Sequence, residues 1–214
     1  KKIGQLEKAI QDYDKVIEND PENAQAYSNR GVAMAEQGRF EDAIKDFDMA
    51  IELDPDLSDA YFARAIFFAD TSQLRRAIDD FGRCIDLTPD KTFAYYLRGK
   101  LYGQLGETEK AIQDLSKAIV IKPDLAGLYV ERGILFYQIN SIERAIVDFK
   151  KSLELFPGNP IAYFYRGKSF EKSGQFGKAI EDFETFLEIV PESPDADTVK
   201  EELRELKLLP QTVR

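Results

Sequence analysis

The 214-residue chain contains no histidine, no tryptophan and a single cysteine. Without His there is no imidazole to act as a base or a metal ligand. One Cys forms neither an intrachain disulfide nor a cysteine-rich zinc site. There is also no Gly-rich phosphate loop and no Ser in a nucleophile elbow. Carboxylate pairs such as Asp79-Asp80 and Glu41-Asp42 fall on helix faces that should be solvated. The expectation is a protein with no catalytic site, no cofactor and no metal. No apolar run approaches the ~20 residues of a membrane helix, so insertion into a membrane is not expected. The net charge is −10, the basic residues are scattered among acidic ones, and five like charges never run together. Nucleic acid needs a basic stripe that this composition does not supply.

What the chain does have is a beat. Prolines stand at Pro21, Pro55, Pro89, Pro123, Pro157 and Pro191, each 34 residues after the last. An Ala-Ile pair keeps the same interval from Ala9 through Ala43, Ala77, Ala111, Ala145 and Ala179. An Asp followed by a large apolar residue keeps it again, from Asp12-Tyr13 to Asp182-Phe183. Three markers in phase define a repeat protein. Within residues 24–57, Tyr27, Gly31 and Met34 share one helical face. Gly38 then breaks the helix, and its equivalents Gly4, Ser72, Gly106, Asn140 and Gly174 all tolerate a helix C-cap. Phe40, Ala43, Ile44, Phe47, Ala50 and Ile51 make a second helical stripe, which stops before Asp54-Pro55. Each unit is predicted to be a helix–turn–helix hairpin.

A 34-residue hairpin with Ala, then Phe four residues on, then a late Pro resembles the tetratricopeptide repeat. That family's first helix reads W-x2-L-G-x2-Y. Here Tyr27, Tyr61, Tyr95, Tyr129 and Tyr163 take the Trp slot, and Arg30, Arg64, Arg98, Arg132 and Arg166 the Leu slot. Gly31, Gly99, Gly133 and Gly167 fill the Gly slot, with Ala65 as the exception. The resemblance implies an all-α, right-handed superhelical solenoid. Its expected organisation is an orphan second helix over 1–23, repeats over 24–57, 58–91, 92–125, 126–159 and 160–193, and a capping helix with a tail over 194–214. Pro194-Asp195 can open the cap, with Ala196, Val199, Leu203 and Leu206 as its apolar stripe. Because the pattern starts in mid-repeat, the chain reads as a fragment of a longer protein. Cys84 shares the slot of Ala50 and Ala118 and should be a small buried residue.

The resemblance further implies an inner, concave groove lined by the first helices at their second, fifth, ninth, twelfth and thirteenth positions. Carried over, these include Val32, Ala35, Glu36, Phe62, Ile66, Asp70, Phe93, Tyr96, Lys100, Tyr137, Phe164, Lys168 and Lys172. Aromatic anchors at Phe62, Phe93, Tyr96, Tyr137 and Phe164 suit protein recognition. With Lys100, Lys168 and Lys172 beside them, the expected ligand is a peptide with apolar anchors and an acidic group. Two specialised grooves of the family are not supported. A clamp for a terminal carboxylate meets Asp59 and Ala63 where basic residues are needed, and an asparagine ladder stops after Asn29, at Ala63, Leu97, Glu131 and Tyr165.

The recurring Arg and Asp read as a structural ion-pair ladder, since a binding site rarely needs one residue in every unit. Pairing each Asp with the Arg of the next repeat gives Asp12–Arg30, Asp46–Arg64, Asp80–Arg98, Asp114–Arg132 and Asp148–Arg166, with Asp182 left to Lys200. Pairing within a repeat would instead leave Asp12 alone. The first register is the expectation. The uncovered helix at the start should expose Ala9, Tyr13 and Val16, which predicts a homodimer through residues 3–20. The functional expectation is a scaffold that binds a protein or peptide partner. Self-assembly and a docking module cut from a larger enzyme are the alternatives.

Overall fold

The structure, a computed structural model, describes residues 2–209, with the side chains of Lys2 and Ile3 outside that description. Lys1 and the tail 210–214, assigned above to the first and last segments, lie outside the described residues. Twelve helices and no strand occur among the described residues. They are α1 (Lys2–Asn19), α2 (Ala24–Glu36), α3 (Phe40–Leu53), α4 (Ser58–Asp70), α5 (Leu74–Leu87) and α6 (Thr92–Gln104). There follow α7 (Thr108–Ile121), α8 (Ala126–Gln138), α9 (Ile142–Leu155), α10 (Pro160–Lys172), α11 (Phe176–Ile189) and α12 (Ala196–Leu208). None is long and apolar enough to cross a membrane. The chain divides into two compact units, residues 1–102 and 103–214.

The turn between the two helices of a hairpin is set by one residue in the left-handed region. Gly38, Gly106 and Gly174 have φ of 80°, 74° and 73°, and Ser72 and Asn140 have 61° and 59°. The Gly38 N–H donates to Ala35 O and the Arg39 N–H reaches back to Met34 O at 2.9 Å. These are the two bonds of a Schellman ending, which satisfy the last carbonyls of α2. The same bonds recur at Gln73 to Phe68, Ser141 to Phe136 and Gln175 to Phe170. Gly4 holds the same slot but is helical, within the first turn of α1, and does not act as a helix ending.

In each unit the hairpin closes on small residues. Ala43 and Ala77 in one unit, and Ala111, Ala145 and Ala179 in the other, are fully buried. Phe47, Phe81, Phe149 and Phe183 lie beside them, at most 1% exposed. A Cβ on Gly133 or Gly167 would come within 2.7 Å of the Phe149 or Phe183 ring, so glycine lets the two helices approach. Cys84 is fully buried, and burial pushes its thiol pKa up, as a small core residue requires. Helix α12 starts after Asp195 and buries Ala196, Val199 and Leu206. With Leu203 packed beside them, Val199 and Leu206 join Phe170, Phe183 and Phe186 in one apolar cluster.

Candidate protein-interaction face

The arginine of each first helix is held in place, and its geometry corrects the predicted register. Arg30 donates through Nε and Nη2 to Asp46 at 2.7 and 2.8 Å, within its own hairpin. Arg64 does the same to Asp80, Arg132 to Asp148 and Arg166 to Asp182. The pairs Asp46–Arg64 and Asp148–Arg166 are therefore not formed, and Asp182 is not left to Lys200, which bonds Asp197. Asp12, in the first helix of the chain, is exposed and meets Lys15 instead of Arg30. The reason is angular. Asp46 lies three residues after Ala43 and four before Ala50, so it shares the stripe that faces its own first helix.

The residue two positions on points almost the opposite way, toward the next hairpin. There Arg30 Nη1 takes Asp14 at 2.7 Å, Arg64 Nη1 takes Asp48 at 2.6 Å, and Arg132 Nη1 takes Ser116 Oγ at 3.0 Å. In the equivalent slot Gly82 offers no side chain and Lys150 offers a cation. Each guanidinium also lies against the ring of the tyrosine three residues before it, at 5.3 Å for Arg30 and Tyr27. Arg30 is raised above its ordinary pKa, chiefly by the Asp46 hydrogen bonds, with Asp14 adding to them against burial. Burial works to lower Arg64 and Arg166, yet their carboxylate partners carry both upward. Arg98 and the buried Asp114 occupy the same slots of the pattern.

With the arginines fixed inside the hairpins, varied residues of the first helices such as Val32, Ile66 and Phe93 are left exposed, and within each unit they form a wall. In the unit of residues 1–102 this wall opens into a cavity of about 460 Å³ between α2, α3 and α4. Val32, Ala35, Phe62, Ala63, Ile66 and Phe67 line it from the first helices, with Phe40 and Phe47 from α3. The Phe67 ring lies between two others, 5.8 Å from the Phe40 ring and 5.9 Å from the Phe47 ring. Glu36, Asp70 and Thr71 complete the lining. The nearby cation is Lys91, whose Nζ lies 4.6 Å over the Phe62 ring and forms an ion pair with Asp59. Farther along, Phe93 is 61% exposed and Lys100 lies 5.5 Å over the Tyr96 ring.

In the other unit the predicted wall residues are engaged by the chain itself. Phe164 packs on Tyr165 and Phe186, with ring centroids 5.1 and 5.5 Å away. Lys168 reaches Glu202 of α12. Tyr137 packs on Tyr165, and Lys172 Nζ lies 4.0 Å over the Tyr137 ring. Burial, with Glu202 and Glu205 adding to it, pushes the Glu171 carboxyl above its ordinary range. The sequence did not single out Phe40, Phe47 or Phe67 as pocket residues, because the first two fall in the second-helix stripe and Phe67 at none of the expected groove positions. Nor did it mark Glu202, which its own helix pattern places among polar residues.

Comparison with known proteins accords with this architecture. The model described as TPR repeat matches residues 1–38, and models described as tetratricopeptide repeat match 24–57, 92–125 and 160–193. Together they span more than half of the sequence, and the chain belongs to the tetratricopeptide repeat family, an all-α repeat solenoid. No curated protein sequence matches it. Among solved structures, YrrB, described as a TPR protein with an unusual peptide-binding site, superposes with a TM-score of 0.78 at 21% identity, over 88% of this chain and 97% of its own. A MamA protein gives 0.75 at 24% identity, over 89% and 100%. The pilF protein of Pseudomonas aeruginosa gives 0.69 at 19%, over 86% of each chain. At these identities the likeness is one of fold.

Proposed function

We propose that the chain is a non-catalytic protein-interaction scaffold whose first-helix wall receives a segment of a partner protein. The observation that carries this reading is the contrast within each first helix. One side is a repeated Arg–Asp–Tyr arrangement spent on the hairpin, and the other is varied and apolar, with Val32 40%, Phe93 61% and Ile161 52% exposed. Apolar groups left in water on the first helices of each unit suit an interface more than a monomer surface. The peptide-binding site in YrrB's description supports the same use of the fold. Selection of displayed random peptides on the intact chain tests it. Binders are expected, and Phe93→Ala with Ile66→Ala should weaken them, since both side chains are exposed and their loss spares the core. No binders, or binders indifferent to both changes, would contradict the reading.

A second reading is self-association through residues 3–20. Val16 of α1 is 40% exposed, while Ala9 and Tyr13 are half-buried. A concentration-independent monomer mass in light scattering would remove it.

A further inference from the structure

The cavity between α2, α3 and α4 has a chemistry that differs from the acidic-group ligand expected of the wall as a whole. Its volume of about 460 Å³ falls in the range of sites that swallow one bulky group. Its lining is mostly apolar, with Phe40, Phe47, Phe62 and Phe67 beside Val32, Ala63 and Ile66; its charged groups are carboxylates, and the Thr71 hydroxyl is spent on Phe67 O. Asp70, at the C-terminal end of α4, is exposed and makes no ion pair or hydrogen bond among the described residues. Glu36 stands at the equivalent place on α2. Lys91, beside Phe62, is already neutralised by Asp59. The three lysines that suggested an acidic ligand are elsewhere, and Lys168 is tied to Glu202.

An apolar pocket with an acidic rim selects by two independent terms. Burial of a large side chain supplies affinity, and the rim charge decides which neighbours that side chain can have. We propose that this pocket takes one large apolar side chain, aromatic or aliphatic, from a partner segment in which lysine or arginine flanks it. The inference rests on the scaffold reading and deepens it, by naming the chemistry of the segment and the place where it anchors. A flanking cation would meet Asp70, whereas a flanking carboxylate would meet it as a like charge.

Three dye-labelled peptides on a Gly/Ser background test this against the intact chain by fluorescence anisotropy. They carry Phe between lysine pairs, Phe between glutamate pairs, and Ala between lysine pairs. The first should bind about tenfold more tightly than the third, from the buried ring. It should bind at least about threefold more tightly than the second, from the rim charge. Asp70→Lys, an exposed change that leaves the fold alone, should narrow or invert the preference between lysine and glutamate flanks. Ala63→Phe should fill the cavity and abolish binding of the lysine-flanked Phe peptide. Equal or tighter binding of the glutamate-flanked peptide, indifference to Asp70→Lys, or no binding by any of the three would overturn the assignment. If random selection still yields binders whose affinity falls with Phe93→Ala, the scaffold reading stands and only the pocket is wrong. If selection yields nothing, both fall.

Discussion

The two units share an interior and differ in their walls. In residues 1–102 the first helices leave a cavity between Phe62, Ile66 and Val32 whose rim is acidic. In residues 103–214 Phe164 rests on Phe186 much as Phe62 rests on Phe81, but Lys168, in the slot where Ile66 is exposed, is tied to Glu202. The slot that holds Ala50, Cys84, Ala118 and Ser152 holds Phe186 in the last hairpin, where α12 comes next in place of another hairpin. Within the hairpin, Cys84 meets Ser58 of its own first helix in that slot, and the Phe186 ring lies against Phe164 of its own.

The shared interior gives the largest expected effects. Asp148→Ala strands Arg132 in a half-buried site, and should cost about 3 kcal/mol in urea unfolding. Asp48→Ala removes only an exposed carboxylate from Arg64, and should cost less than about 1 kcal/mol. Equal costs would mean that the bonds between hairpins matter as much as those within them. Next, Leu206→Ala empties a site that is 4% exposed under α12 and should cost about 2–3 kcal/mol. Hydrogen exchange should place that loss in residues 103–214, with peptide binding at the cavity unchanged.

Smaller effects sharpen the comparison. Ser152 Oγ is buried with no hydrogen-bond partner, in a slot that is Ala in two other hairpins. Ser152→Ala should therefore raise stability by about 1 kcal/mol in the same urea assay. The smallest effect is a pH dependence of α12. A carboxyl whose folded pKa is raised contributes stability that is present below its unfolded value, near 4.5 for Glu171, and lost as pH rises through the folded one. Amide exchange in α12, corrected for its intrinsic rate, should thus be faster at pH 7 than at pH 4.5, and Glu171→Gln should flatten the difference.

Much of the fold was legible because its signals are local and repeated. Pro, Gly and Ala at a fixed interval report turns and close helix contacts directly. The stripe of α12, from Ala196 to Leu206, could be read from spacing alone. The direction of Asp46 could not be chosen by recurrence, since pairing within or between hairpins repeats equally well. Only the helix angle relative to Ala43 and Ala50 decides it. Asp14 and Asp48, which do bridge hairpins, were hidden because their slot changes to Gly82, Ser116 and Lys150. The wall was legible as a set of exposed positions, but not its charge. Whether a wall lysine is engaged depends on a carboxylate far along the chain, as Glu202 lies 34 residues from Lys168.

The most direct test of the cavity as the partner's anchor is a methyl- and amide-resolved NMR titration of the intact chain with the lysine-flanked Phe peptide. Shifts are expected at Val32, Ala63, Ile66 and Asp70, with Phe164, Lys168 and Glu202 unmoved. Shifts centred on Phe164 and Lys168, with the contact between Lys168 and Glu202 broken, would contradict it. They would mean that α12 yields its place to the partner and that the binding wall lies in the other unit.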